Sequence, residues 1–132
     1  MGFKEIPHTA DWSLLVWAGD LPELFAEAAR GMNFLAGVRL APGPRTPRTF
    51  ESAAPDPESL LVAFLSELVF AAEQEHLAFD EFKIQIAGTR LKVEMSGAPI
   101  LSLNKAIKAV TYHNLQIRPT GRGCEVEIVF DV

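Results

Sequence analysis

Cysteine is nearly absent from this 132-residue chain, which contains Cys124 alone. A single cysteine cannot form an internal disulfide or a thiolate metal cluster, so nothing indicates an oxidising compartment. The chain also lacks a phosphate-binding glycine loop, the Ser-His-Asp order of hydrolases and a nucleophilic cysteine context. These absences exclude the commonest signatures of an enzyme.

Long apolar runs and a basic leader are missing too. No stretch approaches the roughly 18 apolar residues that a membrane span needs, and no basic segment followed by an apolar one opens the chain. We therefore expect a cytoplasmic protein without membrane contact.

Positive charge is scarce, since 12 lysines and arginines face 17 aspartates and glutamates and the net charge is −5. Such a chain repels a phosphate backbone, whose binding depends on clustered cations that release counterions. Strong direct binding to nucleic acid is disfavoured, and a protein partner is favoured. The hydrophobic content of 48% is typical of a compact protein, and we expect residues 1–132 to form a single domain.

Two helix starts are the clearest local signals. Asp20 is an N-cap with Glu23 three residues later, and Gly37 is a stop signal. The pair at 56–57 joins an N-cap aspartate to a proline at the first helical position, which predicts a second helix to about Glu75.

Alternating apolar residues predict strands around these helices. Residues 12–18 are apolar on both faces, which places that strand inside a sheet. Three prolines and a glycine in residues 39–48 exclude regular structure there, with a short strand expected at 49–53. Hairpins are expected at 82–95 and around a turn at 119–123, whereas 104–112 could be strand or helix. This order predicts an α+β fold, a two-layer sandwich in which a mixed β-sheet carries two long helices on one face.

The last strand offers the strongest candidate for a chemical site. Period-two alternation places Val126, Ile128 and Phe130 on one face and Asp131 on the other. Asp131 adjoins the terminal carboxylate of Val132, and hard cations such as Ca²⁺, Mg²⁺ or Mn²⁺ take oxygen ligands of this kind. A solvated chain end is the simpler interpretation of these two residues alone.

Three other residue types have a simple structural interpretation beside a functional one. Asp11 could be a third carboxylate at this site or a turn cap, and His8 a metal ligand or a packed side chain. Lys105 and Lys108 could meet an anionic group or be solvated. A zinc site is disfavoured, because no cysteine or histidine spacing supports one.

Several stretches together resemble the archease family. They occur in family order and span nearly the whole chain: Ile6-Pro7-His8-Thr9-Ala10-Asp11, Leu21-Pro22-Glu23-Leu24-Phe25, residues 60–70, Ile107-Lys108-Ala109-Val110-Thr111-Tyr112-His113-Asn114-Leu115 and Ile128-Val129-Phe130-Asp131-Val132. The resemblance implies a domain related to the strand–helix–strand–strand type. It also implies a divalent metal, with Ca²⁺ expected first and Mg²⁺ or Mn²⁺ as alternatives. Carried over by motif, the metal ligands are Asp11, Asp131 and Val132, and Lys108 is the residue needed for activity toward a partner.

The same resemblance names that partner as an RtcB-type RNA ligase, which joins RNA ends with GTP through a guanylylated histidine. The chain would be a non-catalytic activator that promotes guanylylation and multiple turnover in tRNA splicing or RNA repair, as a monomer or weak homo-oligomer. Residues 98–105 depart from the family, since they lack the basic-histidine pair of many relatives. Two alternatives stay open: a chaperone-like modulator of a tRNA-modifying enzyme, and a metal-dependent hydrolase built on the same carboxylates.

Overall fold

The computed structural model describes residues 1–6 and 12–132. In this part of the chain nine strands and two helices follow one another as β1 (Gly2–Ile6), β2 (Trp12–Ala18), α1 (Leu21–Ala36), β3 (Arg39–Leu40), β4 (Thr46–Ala53), α2 (Pro57–Phe70), β5 (Leu77–Ala87), β6 (Arg90–Ser102), β7 (Ala109–Val110), β8 (Arg118–Thr120) and β9 (Gly123–Asp131).

The strands are divided between two sheets, and each pairing among the described strands is antiparallel. One sheet has the order β1-β2-β9-β7, and β8 also pairs with β9. In the other, β6 is central and pairs with β3, β4 and β5. The predicted hairpins correspond to β5–β6 and β8–β9, and β2 is an inner strand as expected. Residues 104–112 contain only the two-residue strand β7.

Both helices begin where the capping residues indicate. Asp20 Oδ1 accepts a hydrogen bond from the Glu23 backbone N–H at 2.9 Å, and Asp56 Oδ1 accepts one from Ser59 at 2.7 Å. α1 ends at Gly37, whose φ of 66° is in the left-handed region that favours glycine. α2 continues through a π-helical turn, Ala71–Glu75, which agrees with the predicted end at Glu75.

The prediction that residues 39–48 exclude regular structure is wrong. Residues 39–40 form β3, and β4 begins at Thr46 and includes Pro47. A proline removes one backbone donor, which an edge strand tolerates because only one of its sides is hydrogen-bonded. β4 is such a strand, since β6 is its only partner among the strands that the structure describes.

The hydrophobic core joins both sheets and both helices. Its fully buried members include Leu14 of β2, Phe25 of α1, Phe64 of α2, Val93 of β6 and Phe130 of β9. α1 contacts β2 in one sheet and β5 in the other, and α2 contacts β7 and β4. The predicted α+β fold with two long helices is therefore confirmed, with the detail that the helices contact strands of two sheets.

Neither α1 nor α2 has the length and apolar character of a membrane-crossing helix, a statement that covers residues 1–6 and 12–132.

Candidate functional site

The end of β9 carries Asp131 and Val132, two of the predicted site residues. Phe130 is the Cα partner of Trp12 on β2 and of Val110 on β7, and Asp131 is the partner of Ala109. The last strand is thus held between two strands that are far from each other in sequence. Its final residues lie at the same end of the sheet as the start of β2.

Lys108 is attached directly to this strand end. Its backbone N–H donates a hydrogen bond to the Asp131 carbonyl oxygen at 2.8 Å. Beyond β7, both the N–H and the hydroxyl of Thr111 donate to the Val129 carbonyl oxygen at 3.0 Å. The structure therefore brings the backbones of Lys108 and Asp131 together, a contact that neither the residue pattern nor the resemblance had predicted.

Asp131 is exposed, while Val126, Ile128 and Phe130 are fully buried. The predicted alternation along the strand is confirmed. In addition Val129, on the same side of the strand as Asp131, is buried, with 3% of its surface exposed. The carboxylate of Asp131 is accordingly open to solvent and to any ligand. Val132 is half-buried.

Asp11 and His8, two of the predicted candidates, lie outside the described residues. Within residues 1–6 and 12–132 no group of three His, Cys, Asp or Glu side chains is placed to hold a metal ion. The Asp131 carboxylate supplies the oxygen ligand that Ca²⁺, Mg²⁺ and Mn²⁺ prefer. The donor chemistry at this strand end fits a hard cation, and the ligand set from Asp11, Asp131 and Val132 stays a prediction.

A cavity of about 470 Å³ opens beside Lys108. It is formed by the C-terminal part of α1, the end of α2, the start of β5 and residues 103–108. Its lining is Met32, Asn33, Ala36, Val38, Leu68, Val69, Ala72, Glu73, Ala78, Phe79, Leu103, Lys105, Ala106, Ile107 and Lys108. This cavity was not predicted from the sequence. In the sequence, only the pair Lys105 and Lys108 within a mainly apolar stretch indicated a site in this region.

Two of the three arginines in residues 39–48 form ion pairs within the molecule. Arg45 forms an ion pair with Asp80 and donates to the Ser96 carbonyl oxygen at 3.0 Å. The hydrogen bond to Asp80 raises the pKa of Arg45. Arg48 contacts Glu75 at 2.5 Å and lies 5.4 Å from the centroid of the Phe79 ring. The guanidinium groups of Arg45 and Arg48 are therefore paired with carboxylates and are not free to bind a phosphate backbone.

Cys124 is a poor candidate for thiolate chemistry. The side chain is buried at the start of β9, and burial, with a smaller contribution from the negative charge of Asp20, raises the pKa of its thiol. Since the thiolate is the reactive form, a raised pKa suppresses nucleophilic chemistry at neutral pH.

Comparison with known proteins decides the family. Residues 3–132 match the model of the Archease protein family (MTH1598/TM1083). Protein archease of Methanosarcina acetivorans is 31% identical to this chain over 98% of the chain and 95% of the relative. Protein archease of Thermococcus gammatolerans is 34% identical over 91% and 92%. This chain belongs to the archease family.

Solved structures share the archease fold found here. The solution structure of Methanobacterium thermoautotrophicum protein 1598 has a TM-score of 0.73, at 24% identity and with 99% of each chain covered. The crystal structure of an archease from Thermotoga maritima, described as a possible chaperone, has a TM-score of 0.71 at 24% identity, covering 98% of this chain and 96% of that one.

Proposed function

We propose that this chain is a non-catalytic accessory protein that activates an RtcB-type RNA ligase by promoting its GTP-dependent guanylylation. One observation supports the proposal most directly: the Lys108 N–H donates to the Asp131 carbonyl oxygen at 2.8 Å. The lysine that the family resemblance marks for activity and the aspartate that it marks for metal binding are therefore neighbours. A partner surface that reaches one of them is therefore close to the other.

The charge of the chain favours an activator that acts through protein contact. The net charge is −5, and the arginines at 45 and 48 are paired with carboxylates. An acidic surface repels RNA and does not repel a basic, nucleotide-binding protein surface. The RNA chemistry would accordingly be carried out by the ligase.

A divalent cation at the strand end would couple this acidic protein to the nucleotide site of the ligase. We propose Asp11, Asp131 and Val132 as its ligands. Asp11 is covalently bonded to Trp12, the Cα partner of Phe130, which precedes Asp131. When bound, a hard cation would reverse the local sign of charge, so that the tip could approach phosphate groups.

The test is a guanylylation assay with the cognate ligase, GTP and increasing amounts of this chain. Asp131→Asn keeps the size of the side chain and removes its charge, so we expect most of the stimulation to be lost. Lys108→Ala is expected to have a similar effect, because it leaves the backbone hydrogen bond in place and removes the ammonium group.

Matched controls are available on the other sheet. Glu51→Gln and Lys92→Ala make the same chemical changes at exposed positions of β4 and β6, and both should stimulate as the wild type does. Full stimulation by Asp131→Asn and Lys108→Ala would refute the proposed site. Absence of stimulation by the wild type would refute the proposed function itself.

A chaperone-like role toward a tRNA-modifying enzyme is the second candidate, and one observation favours it. Large apolar side chains of Phe34, Phe70, Leu101 and Tyr112 are between 54% and 69% exposed. Exposed apolar surface is how a holding protein retains an unfolded client. This role predicts that aggregation of the client is suppressed equally by wild type, Asp131→Asn and Lys108→Ala, with no dependence on added metal.

A further inference from the structure

The cavity beside Lys108 has the properties of a docking pocket. Its volume of about 470 Å³ lies within the range of pockets that receive a ligand group. Its walls include the buried core residues Met32, Leu68 and Phe79, which are 5%, 5% and 1% exposed. The pocket therefore reaches the hydrophobic core, and an apolar group that enters it is withdrawn from water.

Backbone hydrogen bonds hold the outer wall of the pocket, residues 103–108, near both of its ends. At one end the N–H groups of Asn104 and Lys105 donate to the Ala36 carbonyl oxygen at 2.8 and 3.2 Å. At the other end Lys108 is bonded to Asp131. Between these hydrogen bonds Ile107 packs against the core, so the segment holds one wall of a preformed pocket.

The charges around the pocket are positive on balance in an acidic protein. Among the described residues that line it, Lys105 and Lys108 carry positive charge and Glu73 carries the one carboxylate. A guest that places an apolar group inside and an acidic group at the mouth would complement this pattern. The tie between Lys108 and Asp131 makes the pocket continuous with the site proposed to act on the ligase.

We propose that this pocket receives an apolar anchor side chain, next to an acidic residue, from the ligase that the chain activates. The inference rests on the proposed function and adds the surface through which the partner is held. Interfaces of this kind concentrate their binding energy in a few buried apolar anchors. The apolar wall of the pocket and Lys105 would set affinity, whereas Asp131 and Lys108, at the edge of the pocket, would set the response of the bound ligase.

The experiment separates affinity from response. Ala72→Phe places a ring at the half-buried wall of the pocket, and Ala87→Phe makes the same change at an exposed end of β5 that does not line it. The dissociation constant for the cognate ligase is measured by calorimetry, and guanylylation is measured with the chain at saturation. We expect Ala72→Phe to weaken binding roughly tenfold or more and to leave the guanylylation rate at saturation unchanged. Ala87→Phe should match the wild type in both measurements.

Two charge-reversal variants provide a second test in case Ala72→Phe does not fold. Lys105→Glu should weaken binding, and Lys92→Glu, on β6, should not. If Ala72→Phe and Lys105→Glu both bind as tightly as the wild type, the docking proposal is overturned while activation stands. If the wild type neither binds nor stimulates the ligase, the proposed function falls and the docking proposal with it.

A small amphiphile is the competing occupant. Decanoate carries an apolar chain and one negative charge, and it should compete with the ligase for the pocket. Tight binding of decanoate that leaves the affinity for the ligase unchanged would contradict the proposal and assign the pocket to a small ligand.

Discussion

Gly97 is a position at which one added methyl group should damage the fold severely. It lies on β6 opposite a bulge in β5, where the register shifts between Phe79 and Glu81. A Cβ at Gly97 would come within 1.9 Å of the Ala78 carbonyl oxygen and 2.7 Å of the Phe79 Cα. These are backbone atoms, so no side-chain rotation relieves the clash.

The expected loss of folding stability follows from how far β5 must move away from the added Cβ. The contact has to widen from 1.9 Å to the 3.4 Å at which ordinary van der Waals contacts begin. β5 must shift to allow this, and we expect Gly97→Ala to cost about 2–3 kcal/mol, toward the upper end for overpacking a close-packed site. The midpoint of thermal unfolding should fall by roughly 10 °C.

Gly31→Ala is the matched comparison. A Cβ there would meet the tip of the Leu14 side chain at 2.5 Å and the Phe3 ring at 3.0 Å. Side chains can move, and alanine in a helix gains up to about 1 kcal/mol over glycine. Urea unfolding of both variants should show a much larger loss for Gly97→Ala. Equal losses, or a larger one for Gly31→Ala, would refute the reasoning about the bulge.

Three further predictions concern the cap, the thiol and the exposed ion pair. Asp56→Ala removes the acceptor for the Ser59 N–H and should cost about 1 kcal/mol in urea unfolding, whereas Asp56→Asn should cost less. Because the pKa of Cys124 is raised in the folded protein, its contribution to stability is present below the ordinary thiol pKa of 9.0 and is lost as the pH rises through the folded pKa. Wild type should therefore lose stability relative to Cys124→Ala in alkaline buffer, and parallel pH profiles would contradict this. Arg45→Ala should leave the thermal midpoint almost unchanged, since its ion pair with Asp80 is exposed to solvent.

One part of the candidate site could be predicted from the sequence and another part could not. The exposure of Asp131 beside the buried Phe130 was predictable, because alternation along a strand depends only on the local backbone. The contact between Lys108 and Asp131 was not, since it depends on which strands pair. The resemblance to archeases named both residues without saying that they touch.

The pocket was even less accessible from the sequence. Its walls are formed by α1, α2, β5 and residues 103–108. The space between these segments depends on how the elements pack. Ala72 lies half-buried in the π-helical turn that follows α2, at the edge of the cavity. No local pattern distinguishes a filled core position from one that faces an opening.

The sequence by itself determined the starts of both helices, the end of α1 at Gly37 and the inward face of β9. These features depend on side-chain and backbone groups within a few residues of each other, so local chemistry is sufficient. Only the tertiary structure decided that the strands divide into two sheets, that β4 includes Pro47 and that Lys108 is bonded to the end of β9. Each of these depends on contacts between segments that are distant along the chain, and their pairing is chosen by the packing of the whole core.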